Sequence, residues 1–79
     1  MNKAEQLIIE KMIENIVETI AQENGISPMQ AVHEFYGSVT HQMLKDEKLQ
    51  LWQLSNKGLL DLWHNERTHG NPRLSVYLS

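Results

Sequence analysis

Four histidines, a few helix-flanking serines and a run of spaced glutamates are the residues of this 79-residue chain whose types could do chemistry. His64 and His69 bracket HNERTH, which at first sight resembles a zinc-binding pair. Metalloprotease histidines lie four apart and share a helix face, whereas five residues rotate the second by about 140°. His33 and His41 would need two helices to fold back on each other, and the chain has no cysteine to complete a thiolate site. No metal or other cofactor is expected.

Nucleophilic catalysis finds no better footing. Ser27, Ser38 and Ser55 each precede a helical pattern, where a hydroxyl caps free amides, and no G-x-S-x-G, phosphate loop or G-x-G-x-x-G occurs. Glu10 and Glu14 fall on the polar, exposed side of a helix, not in the buried setting that acid–base chemistry uses. The chain reads as a non-enzyme.

The elements that would position any site are helical. In AEQLIIEKMIENIVETIAQEN the residues Ile8, Ile9, Met12, Ile13, Ile16, Val17 and Ile20 share an arc of about 180°, and Gly25 stops the helix. A single neighbour needs about 100°, so this helix either touches two neighbours or also buries a face against another molecule. Ser27-Pro28-Met29-Gln30 opens a second helix with a capping serine, a proline whose φ suits the first turn, and a glutamine placed for a capping box.

Ala31, Val32, Phe35 and Tyr36 continue that helix to a break at Gly37-Ser38. A short third helix carries Val39, Met43 and Leu44, capped by Ser38 or Thr40. The charged Lys45-Asp46-Glu47-Lys48 reads as a solvated turn, and LQLWQL as a short extended segment. Ser55 caps a last helix whose core face holds Leu59, Leu62 and Trp63. After Gly70-Asn71-Pro72, the alternation of Leu74, Val76 and Leu78 with Ser75 and Tyr77 predicts a strand-like tail. The expectation is an all-α fold: a small bundle of three to four helices over residues 1–70, with an extended C-terminal tail over 71–79.

Charge narrows the partners. Residues 1–36 carry two lysines against six glutamates, a balance of −4 within a net charge of −3. Nucleic-acid affinity rests on phosphate neutralisation, which an acidic half opposes, so a basic protein surface fits better. A helix-turn-helix regulator is the alternative, with the third helix as reader; Thr40, His41, Gln42, Lys45 and Lys48 would supply its contacts, without an arginine. A chain this short buries only about 60–65% of its unfolded surface, so a partner or second copy would add stability. The longest apolar run, Leu7-Ile8-Ile9, cannot span a bilayer, no signal-peptide order opens the chain, and the lack of cysteine fits a reducing compartment. A cytoplasmic protein is expected.

The stretch ISPMQAVHEFYGSVTHQML, followed by an acidic turn, Leu51-Trp52, a serine and an apolar helix, resembles a family of small, functionally uncharacterised bacterial helical proteins. The shared pattern is I-S-P-x-x-A-x-x-x-F-Y-x-S-x-T-x-x-x-L, and the resemblance covers residues 26–63. Members usually place glycine before the L-W or L-Y pair, where this chain has Leu49-Gln50. The resemblance implies no catalytic residues and an antitoxin-like companion role beside a toxin-like or ADP-ribosyltransferase-like gene neighbour. The expected partner is therefore another protein, with a homodimer through the first helix as the other arrangement. Tyr36, Trp52, Trp63, Leu74 and Val76 are the expected partner-binding residues, since partly exposed aromatics are common interface anchors.

Overall fold

A computed structural model of the chain describes residues 2–78. It contains four α-helices among those residues: α1 (Lys3–Asn24), α2 (Pro28–Tyr36), α3 (Val39–Lys45) and α4 (Asn56–His69). Three single 3-10 turns complete it, at Leu51–Gln53, Pro72–Leu74 and Val76–Leu78. The all-α expectation holds.

Each helix begins on a side chain that accepts from an otherwise orphaned amide. Ser27 Oγ accepts from Gln30 N at 3.1 Å, Ser38 Oγ from His41 N at 3.1 Å and Ser55 Oγ from Gly58 N at 3.1 Å. Such caps contribute about 1 kcal/mol each. The third helix is capped by Ser38, not Thr40. At the start of α1, Asn2 Oδ1 accepts from Glu5 N at 2.8 Å while the Glu5 carboxylate accepts from Asn2 N at 3.4 Å, a reciprocal box one turn ahead of the apolar pattern. Gly25 ends α1 at φ 63°, a backbone state that glycine enters without strain.

The core forms where the α1 stripe meets the other helices. Ile9, Met12, Ile16, Val17, Ile20 and Ala21 are buried on α1, while Ile8, at the edge of the predicted arc, is exposed. α1 packs against both α2 and α4, which accounts for most of the unusual width of its apolar face. Phe35 of α2 and Trp63 of α4 are fully enclosed with ring centroids 5.8 Å apart, surrounded by Leu44, Leu59 and Leu62. Burying aromatics of this size is the main stabilising contribution in a domain with so little interior.

Two expectations of extended backbone are corrected. LQLWQL closes into a 3-10 turn because Gln50 adopts φ 50°, which swings Leu51 inward until it is 3% exposed. Residues 72–78 likewise form turns, not a strand, and Ser79 of the predicted tail lies outside the described residues. Asn71 Oδ1 accepts from Arg73 N at 3.0 Å with Pro72 in the first position, and the buried Ser75 hydroxyl donates to the Asp61 carboxylate on α4. Tyr77 then lies across Gly58, where an added Cβ would come within 3.2 Å of its ring. These contacts make a strap along α4, and the alternating Leu74, Val76 and Leu78 do not share a face: Leu78 packs on the core while the other two are exposed.

Candidate functional site: an acidic-rimmed apolar groove

The α1 stripe is wider than the core beneath it, and the uncovered edge forms an open groove beside α2. α2 is only nine residues long and departs from α1 at Gly25-Ile26, so it covers one side of the stripe and leaves Ile13 half-buried. Ile13, Val17 and Ala21 of α1, with Ile26, Val32 and Tyr36 opposite, form an apolar floor. The rim on α1 is Glu10, Glu14 and Glu18. The volume is about 900 Å³.

Beyond Tyr36 the groove continues over Ile9 towards His41, Lys45 and Glu47, adding about 590 Å³ and sharing Glu10, Ile13 and Tyr36 with the larger part. Tyr36 thus stands where the two parts join. Its ring is stacked on the imidazole of His41, with centroids 4.5 Å apart and planes inclined by 14°. Burial holds the His41 pKa below its ordinary 6.5, the Lys45 ammonium adds to that, and a hydrogen bond to the Tyr36 backbone opposes both. A neutral imidazole stacked on a phenol presents a flat, largely apolar wall.

The groove's electrostatics come from helix spacing. Residues 10, 14 and 18 lie four apart, so the three carboxylates line one side at steps of about 6 Å. Lys11 Nζ approaches Glu14 at 3.4 Å, with both side chains largely in solvent. Glu10 and Glu18 have no ion-pair partner among the described residues. No basic residue lines the larger part.

Several other charged groups brace the fold. Glu66 of α4 reaches the start of α3, accepting from Thr40 Oγ1 at 2.7 Å, Thr40 N at 2.8 Å and Val39 N at 2.9 Å. Burial alone would raise its pKa, but the Thr40 hydroxyl, the two amides and the Arg67 charge outweigh that and hold it below 4.5. The end of α3 that a phosphate would approach therefore already holds a carboxylate. Arg67 bridges to Glu34 of α2 at 2.8 Å while its guanidinium covers the Trp63 ring at 4.9 Å. His64 meets Glu23 of α1 at 2.9 Å. Among the described residues no three histidine or carboxylate groups are placed to hold a metal ion.

The five expected partner-binding residues do not converge. Tyr36, 52% exposed, lines the groove; Trp52 is half-buried against the core beside the Leu51 turn; Leu74 and Val76 are exposed on the strap over α4. Trp63, expected on the α4 core face as well as among the partner contacts, is 1% exposed and packs on Phe35, which leaves it to the core. Sequence reasoning missed Ile13, Val17 and Val32 as groove floor and Glu10, Glu14 and Glu18 as rim. The four-residue spacing of those glutamates against the edge of the stripe was the available signal. No family model, curated protein or solved structure matches the chain.

Proposed function

We propose that this protein is a non-catalytic interaction module that holds a segment of another polypeptide in the groove between α1 and α2. The observation that carries this reading is the strip of half-buried apolar side chains, Ile13, Ile26 and Val32 with Tyr36, left open beside a fully formed core. Helix-in-groove recognition uses such strips, with apolar side chains of the incoming helix filling the floor and polar ones meeting the rim. The caps and ion pairs elsewhere engage the protein's own backbone and side chains, whereas the groove's apolar floor is left open.

The companion role implied by the sequence resemblance is compatible with this surface, and the adjacent gene's product is the first partner to try. Size-exclusion chromatography with light scattering, on the chain alone and mixed with that product, tests it. A stoichiometric complex that Tyr36→Ala weakens supports the reading. A complex indifferent to Tyr36→Ala and Val32→Ser would remove the groove from it, and no complex at all would remove the companion role.

A further inference from the structure

We infer that the groove's occupant is a basic amphipathic helix from a different protein, about three turns long, with cationic side chains spaced to meet Glu10, Glu14 and Glu18. This rests on the groove reading above and specifies the chemistry of what fills it. Glu10 to Glu18 spans about 12 Å of helix axis, and Gln22 extends the wall by about 6 Å more, a length matched by roughly 12 residues of a parallel or antiparallel helix. On such a helix, lysine or arginine at four-residue intervals recurs at the same 6 Å steps as the rim, while the neighbouring face supplies the apolar side chains for Ile13, Val17 and Val32.

The charge selects among occupants. A second copy of this chain docked groove to groove would bring a rim of three glutamates against the same rim, with Lys11 already beside Glu14 and Lys45 matched by Glu47 at the far end. Phosphate-bearing surfaces, whether nucleic acid or anionic lipid, meet the same repulsion. A neutral apolar helix would fill the floor but leave the glutamates crowded at the edge of a newly dry surface, where their mutual repulsion is less screened. At the far end Lys45 and Glu47 both line the smaller part, so its charge is mixed and the discriminating field lies along α1. A cationic helix relieves the rim and gains steering during approach.

The test uses three synthetic 16-residue amphipathic helices that share a leucine face and differ at three flanking positions, carrying lysine, glutamine or glutamate. Calorimetric titrations are run on the full chain and on Glu10→Lys/Glu14→Lys/Glu18→Lys, with circular dichroism to establish that the variant keeps its helices. The lysine peptide is expected to bind the natural chain at least about tenfold tighter than the glutamine peptide, with most of that margin lost in 0.5 M salt. In the variant the preference inverts towards the glutamate peptide. Equal binding of the lysine and glutamine peptides, unchanged by charge reversal, would overturn the basic-helix assignment while leaving the groove reading intact. Binding of none of the three, together with dimerisation that Tyr36→Ala abolishes, would overturn it in favour of a second copy. Binding of none without self-association would sink the groove reading itself.

Discussion

Glu66 and Thr40, 26 residues apart in sequence, are joined twice: one carboxylate oxygen accepts from both the Thr40 hydroxyl, at 2.7 Å, and the Thr40 amide, at 2.8 Å. α3 has only seven residues, too few to be stable as an isolated helix, so its first turn depends on this carboxylate from α4 as well as on Ser38. Because α3 supplies His41 and Lys45 to the smaller part of the groove, the Glu66 clamp also sets that wall.

Glu66→Ala should therefore destabilise the fold by about 2 kcal/mol in urea denaturation, the loss of a charged acceptor from two amides and a hydroxyl. Thr40→Val, which keeps the shape of a fully buried side chain, should cost about 1 kcal/mol. The double variant should cost less than the sum, because both changes remove the same contact.

Acid should reveal the same clamp. With the Glu66 pKa held below 4.5 in the folded chain, the unfolded chain takes up the proton first as pH falls. Stability from this group is present above pH 4.5 and is lost as pH drops through the folded value. Denaturation midpoints measured across that window should fall for the natural chain and show a smaller slope for Glu66→Gln.

His41 works in a higher range. Its folded pKa lies below 6.5, so below that pH the unfolded chain binds the extra proton and the fold loses stability until His41 itself is charged. Imidazole resonances followed by NMR should titrate below 6.5. Lys45→Gln should move the midpoint up, as should Tyr36→Ala, which admits water to the stacked face.

The strap gives a test of close packing. Gly58→Ala gains helix propensity of up to about 1 kcal/mol, and the new methyl sits 3.2 Å from the Tyr77 ring and 3.4 Å from Leu54 Cβ. Tyr77 is 40% exposed and free to swing outward, so a net gain of about 0.5 kcal/mol in thermal or urea unfolding is expected. Ser75→Ala should instead cost about 1 kcal/mol, since it unties the strap from Asp61.

What could be read from the sequence was local. Ser27-Pro28, Ser38, Ser55 and Gly25 mark boundaries through contacts within three or four residues, and the α1 stripe through its own periodicity. The tail misled because Leu74, Val76 and Leu78 alternate like a strand, while the contact that decides their path, Ser75 to Asp61, spans 14 residues. For Trp63 the spacing with Leu59 and Leu62 marks the core face, while the ring it meets, Phe35, comes from another helix. The groove lies between these cases. The spacing of Glu10, Glu14 and Glu18 is plain in the sequence, but which edge of the stripe stays open depends on the length and angle of α2.

The central claim, that the α1–α2 groove receives another polypeptide's helix, is tested most directly by mapping backbone amide shifts in a nitrogen-15 NMR titration with the lysine-flanked peptide. On that claim the perturbed amides should cluster at Ile13, Val17, Ala21, Ile26, Val32 and Tyr36, and in Tyr36→Ala the rest of the cluster should need more peptide to saturate. Shifts gathered instead on the strap around Leu74, Val76 and Tyr77, or none at saturating peptide, would contradict it.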